Sequence, residues 1–173
     1  MNDKIAILGL VEILSSLSSG IVILFITYRL VKVYGKKRLN IEPGNTAFNI
    51  LLAGVLFSVG YIVSGVIQPI LDSYRILSDT NVSHTKLILS FIGYGGAFIA
   101  MAYILAMMVV ILGAKIYSAM TPINEAEEIN GGNIGVAIVL TTIIITLALF
   151  SSSGIGLLVE SFIPYPDLPP RIG

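Results

Sequence analysis

NIGVAIVLTTIIITLALFSSSGIGLL, residues 133–158, contains no charged side chain. About 20 apolar residues, at 1.5 Å rise each, cross the hydrocarbon core of a bilayer as a helix. The run is continuous rather than alternating, so it does not read as a strand of a membrane barrel. Three similar runs precede it, at about Ile5 to Val33, Asn45 to Leu71 and Leu87 to Leu112. The expected fold is therefore all-α: a polytopic membrane protein with four transmembrane helices. The first run is too long for a signal-peptide core and ends, rather than begins, in a basic cluster, so it reads as a retained span.

Composition agrees. Of 173 residues, 55% are hydrophobic and 12% charged, against about 25% charged in soluble domains. Ten Lys/Arg balance ten Asp/Glu, which gives no basic field for nucleic acid. Cys is absent and His84 is the single histidine. Disulfides, cysteine nucleophiles and a multi-histidine metal site in one chain are thereby excluded. No Ser-His-Asp set and no HExxH motif is present, so neither an enzyme nor a bound cofactor is expected.

Lys and Arg near the span ends set the orientation. Arg29, Lys32, Lys36, Lys37, Arg38 and Lys115 fall on one side, and Lys4, Arg75, Lys86 and Arg171 on the other. The positive-inside bias places segments 34–44 and 113–132 in the cytoplasm and both termini outside, with the 72–86 loop. Tyr34 and Tyr117 would mark the inner boundary, Tyr74 and Tyr165 the outer. Lys32, Lys36, Lys37 and Arg38 are also candidates to hold anionic lipid headgroups.

The spans form two related pairs. IEPGNTAFNILLAG (41–54) resembles INGGNIGVAIVLTT (129–142) at an offset of 88, which aligns Gly44 with Gly132, Asn45 with Asn133 and Asp72 with Glu160. Lys-Val-Tyr at 32–34 matches Lys-Ile-Tyr at 115–117, and the second connection is five residues longer. Units an even number of spans apart enter the membrane in the same direction, so this is a parallel repeat of two hairpins. The expected division is a first hairpin over 1–73, an outer loop over 74–86, a second hairpin over 87–163 and a Pro-rich tail over 164–173. Asn45 and Asn133 are placed to cap the second and fourth helices. Gly44, Asn45, Gly132 and Asn133 could alternatively form an anion or headgroup site at two positive helix ends.

The stretch IYSAMTPINEAEEINGGNIGVAIVL, residues 116–140, has an aromatic-ended span, a Thr-Pro and acidic loop, then Gly-Asn-x-x-x-Ala-Ile. This resembles the YjfL-type family of small bacterial inner-membrane proteins, and the first unit repeats it more loosely. The resemblance implies architecture, inner-membrane location and flotillin-like partners. It implies no chemistry, because the family's region is a domain of unknown function. Phe48 and Asn49 depart from the small residues expected after Gly-Asn.

Small and polar residues recur at helical spacing. Gly54, Ser58, Tyr61, Gly65 and Gln68 share one face of the second span, and Thr142, Thr146, Leu149, Ser153 and Gly156 the matching face of the fourth. Gly96 and Ala100 mark the third. Such faces are expected to pack helices in lipid; alternatively they line a hydrated path in an oligomer. Glu12, Asp72 and Glu160 lie near outer span ends, as interfacial acids or as a candidate outer cation site. The expected function is a non-catalytic scaffold or accessory subunit in the bilayer, either a homo-oligomer or joined to other membrane subunits. The alternative is a small oligomeric channel or transporter with an outer acidic vestibule.

Overall fold

The computed structural model describes residues 3–38, 40–41, 44–70 and 84–162. Asp72, Tyr74, Arg75 and the Pro-rich tail with Tyr165 and Arg171 lie outside the described residues, and the side chains of Lys4, Arg38, His84 and Lys86 are likewise not described. The described residues are helical, with no strand. We label the helices α1 (Asp3–Arg38), α2 (Thr46–Ser64), α3 (His84–Met120), α4 (Glu125–Asn130) and α5 (Ile134–Glu160). Four stretches are long and apolar enough to cross a membrane: Glu12–Lys37, Thr46–Ile70, Ile92–Met120 and Ile134–Glu160. The protein is an all-α, multi-pass membrane protein in architecture.

The helices outrun the apolar runs that announce them. α1 continues past Val33 to Arg38 and α3 past Leu112 to Met120. Neither Lys115 nor the Lys36-Lys37 pair breaks a helix, and both stretches have packing to gain. Tyr117 is buried against the core and the Gly35 backbone lies against the Phe48 ring. α3 stops where Pro122 disfavours helical geometry at Thr121. Thr121 turns its hydroxyl back to the Tyr117 carbonyl, 3.0 Å away. At its other end α3 begins at His84, three residues before the expected entry, so the helix takes in the end of the expected 72–86 loop.

Span two is interrupted at Gly65-Val66 and resumes to Ile70. Pro69 explains the break. It has no N–H for the Gly65 carbonyl four residues back, and its ring crowds that carbonyl. The turn tightens instead, with Gly65 N–H bonded to Ile62 and Val66 N–H to Val63, both at 3.2 Å. The Gly65 carbonyl then faces Gly156 of α5, where a Cβ would sit 3.6 Å away.

α2 is the central element. It runs antiparallel to α1, with Gly35 against Phe48 and Gly60 against Leu24. It runs parallel to α5, with Gly54 against Thr141 and Gly65 against Ser152 in one register. α3 packs on α5, where Gly113 abuts Ile144 and Leu147. The most extensive interface joins α2 to α5. Val59 and Ile62 of α2, Val66 in the turn after it, and Ile144, Ala148 and Val159 of α5 are buried there or beside it. In lipid the drive for these contacts is close packing, which glycine permits.

Candidate functional site at the paired Gly-Asn steps

Both Gly-Asn steps lie at the same end of the bundle, each opening a helix that runs in the same direction. Gly44 and Gly132 take left-handed φ values of +91° and +83°, a region that L side chains rarely adopt. The following asparagines then leave helical geometry and cap. Asn45 Oδ1 accepts the Phe48 N–H at 2.9 Å, and Asn133 Oδ1 accepts the Val136 N–H at 3.2 Å. Each bond satisfies one donor that a helix start otherwise leaves unpaired.

The spare amide donors go to different places. Asn45 Nδ2 donates to the carbonyls of Ile129, 2.8 Å, and Asn130, 3.0 Å. These are the last carbonyls of α4, so one side chain caps the start of α2 and the end of α4 together. Asn133 Nδ2 donates to the Glu128 carboxylate at 2.7 Å. α4 itself starts on Asn124 and carries Glu125, Glu127 and Glu128 in its first turn, where negative charge suits the helix dipole. Glu125 also accepts from the Ser118 hydroxyl at 3.0 Å. The three acids are thus engaged in local hydrogen bonds that hold the turn.

The first step has a basic setting. Asn40 adopts φ +51° and the Ile41 N–H returns to the Gly35 carbonyl at 3.2 Å, which folds Ile41 under the chain. This leaves a pocket of about 230 Å³. Lys32 and Lys36 of α1 line it, one turn apart, with Gly44 and Asn49 opposite and buried Ile41 and Phe48 as the floor. Lys32 Nζ lies 4.9 Å from the Tyr28 ring centre, and the Arg29 guanidinium 5.3 Å from that of Phe25. The aromatic rings so hold two cations near the lipid-facing side of α1. Lys37 is exposed beside them. An amphipathic pocket with a cationic rim suits a headgroup phosphate above acyl carbon.

Other predicted residues scatter. Glu12, half-buried, accepts from Gln68 Nε2 at 2.5 Å, and Glu160 ends α5, half-buried. The two stand on different helices. Of the predicted packing residues, Gly54 and Ser58 are buried, and Gly65 and Gly156 meet between α2 and α5. Gly96, Ala100 and Thr146 are exposed on the single chain. The face of α5 that meets α2 carries Thr141 and Ser152, one position before the predicted Thr142 and Ser153, which point outward. The Ser58 hydroxyl is buried without a hydrogen-bond partner among the described residues. Thr27 was not among the predicted residues. It is fully buried in α1, bonds the Ile23 carbonyl at 2.8 Å and lies 3.4 Å from the Tyr103 hydroxyl of α3. Its β-branched shape inside an apolar run conceals it from a reading of polarity.

The sequence profile of a family described as Domain of Unknown Function (DUF350) matches residues 5–155. The chain belongs to this family. The match takes in the first three spans, the fourth as far as Ile155, and both Gly-Asn steps. No curated protein and no solved structure matches the chain.

Proposed function

We propose that this DUF350 protein is a non-catalytic integral membrane component that acts as a scaffold or accessory subunit of a membrane assembly. The observation that carries the reading is the seam between α2 and α5. Gly54 lies against Thr141, Gly65 against Ser152 and the Gly65 carbonyl against Gly156 along the length of the bundle. Helix backbones that approach this closely close the interior of the single chain. Its outward faces remain broad and apolar, with Phe25, Phe57, Ile104 and Phe150 exposed. In a bilayer such surfaces meet lipid or other membrane chains. The proposal places the protein among YjfL-type proteins of the bacterial inner membrane, with flotillin-like proteins as candidate partners. The Gly-Asn end faces the cytoplasm and both termini face outside.

Purification in native-membrane particles tests the reading. Partner chains in fixed ratio support the subunit role, and a closed ring of this chain alone around a wet axis defeats it. One observation favours the channel alternative: Thr142, Thr146 and Ser153 form an exposed polar line on α5 that would need a neighbour to enclose it. Ion flux in liposomes that is lost with Glu12→Gln would establish that alternative. For orientation, a cysteine at Lys37 is expected to resist an impermeant thiol reagent in intact cells while one at Ser78 reacts.

A further inference from the structure

At the end of the bundle away from the Gly-Asn steps, a cleft of about 330 Å³ lies between the first three spans. Ser15 and Ser19 of α1, Ile67 and Ile70 of the second span beyond its break, and Gly96 and Ile99 of α3 line it. The serine hydroxyls turn back to their own helix: Ser15 bonds the Glu12 carbonyl at 3.2 Å and Ser19 bonds the Ser15 carbonyl. The wall is therefore apolar in character, which suits hydrocarbon better than an ion.

At the outer end of the cleft, level with Ile67 and Ile70, the Glu12 carboxylate holds the Gln68 amide on one of its oxygens. Glu12 and Lys32 stand about 20 residues apart on one continuous helix, hence about 30 Å, the thickness of the hydrocarbon core. With Lys32 at one headgroup layer, Glu12 lies at the other. The cleft then runs inward from that level, with Ile67 and Ile70 on either side of Gln68.

A concavity open to hydrocarbon is filled by whatever fits. The walls of this cleft are almost wholly apolar and it lies open to the bilayer, where acyl chains are the surrounding medium. A single acyl chain is narrow enough. We propose that the cleft holds one acyl chain of a phospholipid whose headgroup carries a primary ammonium, and that this ammonium donates to the Glu12 carboxylate. An anionic headgroup is repelled there, and a quaternary ammonium has no hydrogen to donate. The inference rests on the membrane-spanning fold and is independent of the scaffold role.

The test is native mass spectrometry of the full chain with chain-matched phosphatidylethanolamine, phosphatidylcholine and phosphatidylglycerol. A Cβ at Gly96 meets nothing within 4 Å, so Gly96→Leu fills the cleft without disturbing the backbone. Cleft-bound lipid is scored as the difference between the unmodified chain and this variant, so that lipid held elsewhere cancels. If Gly96→Leu fails to fold, Ser19→Leu fills the cleft from the opposite wall. The expected result is about tenfold preference for the ethanolamine lipid, the size of one charge-assisted hydrogen bond. Glu12→Gln is expected to remove the preference while keeping the bound chain. Equal retention of all three lipids, or a preference unchanged in Glu12→Gln, overturns the proposal. So does a two-chain mass that Gly96→Leu reduces to one, which puts a second copy in the cleft.

Discussion

At Gly44-Asn45 and again at Gly132-Asn133 the chain makes the same move, a left-handed glycine followed by an asparagine that caps a span. The settings are opposite in charge. Lys32 and Lys36 border the first, while Glu128 accepts a hydrogen bond from the second asparagine. The difference separates what the membrane requires from what it leaves free. A helix start near the headgroups needs its N–H groups satisfied, and both steps meet that need in one way. The charge around each step carries no such constraint.

The second connection is five residues longer than the first, and the short helix α4 lies in it. Its terminal carbonyls are the ones that Asn45 holds, so length added to the second half is used to tie down the first. The tie and the seam between α2 and α5 make the halves unequal in their tolerance of change. Gly54 and Thr142 are repeat equivalents, yet Gly54 is buried against Thr141 whereas Thr142 is exposed. Gly54→Leu is expected to cost about 3 kcal/mol or prevent assembly of the bundle. Thr142→Leu should leave the melting temperature in detergent within a few degrees. Comparable losses would mean that the two faces are not different in kind.

The next contrast lies in the asparagines. Asn45→Ala removes a cap and the tie to α4, while the Ile129 carbonyl keeps the Gly132 N–H at 3.0 Å, for an expected loss of about 2 kcal/mol. Asn133→Ala removes a cap, but Glu128 regains water, so about 1 kcal/mol is expected. Asn45→Asp separates the two roles of the first residue, because Asp still caps but cannot donate. It should fall between Asn45→Ala and the unmodified chain, above the former by the worth of the retained cap. Thermal unfolding followed by circular dichroism ranks all three, and an Asn133→Ala loss equal to that of Asn45→Ala would break the asymmetry.

The glycines should behave alike. A Cβ at Gly44 or Gly132 meets nothing within 4 Å, so any cost of alanine comes from the positive φ alone. That cost is about 1 kcal/mol or a little more, and nearly equal at the two sites. A large difference would show that the shared backbone geometry is not what the glycines serve.

These features were unequally legible in the sequence. The spans, the caps and the need for glycine before each asparagine follow from apolar runs and backbone chemistry. The orientation of α5 does not. The stripe through Thr142 and Ser153 is legible as a packing face or an oligomer's path, but not which helix meets it, and the Thr142 hydroxyl bonds the Ile138 carbonyl of its own helix at 2.8 Å. A threonine that satisfies itself in this way can face lipid, so polarity does not mark the buried side. One residue, about 100° of rotation, separates Thr141 and Ser152, which meet α2, from Thr142 and Ser153, which are exposed. The partner of the Asn45 amide was equally hidden, because it depends on where α4 docks.

The smallest expected effect concerns the opposite charges themselves. If the basic pocket at the first step attracts anionic headgroups, Lys36→Gln should lower the preference for phosphatidylglycerol over phosphatidylcholine by up to about fivefold, the worth of one lysine near a membrane surface. Lys32→Gln should do somewhat less, since Lys32 already rests against Tyr28. Both effects should fade as ionic strength rises and the Debye length shrinks below about 10 Å. Glu128→Gln, at the second step, should change the preference less than twofold, because its carboxylate is held by Asn133 and lies outside the basic pocket. Lipid competition read by native mass spectrometry at two salt concentrations separates the cases. A Glu128→Gln shift as large as that of Lys36→Gln would mean that lipids sense the summed charge of the whole end rather than the pocket. The two Gly-Asn steps would then differ in hydrogen bonding but not in what they attract.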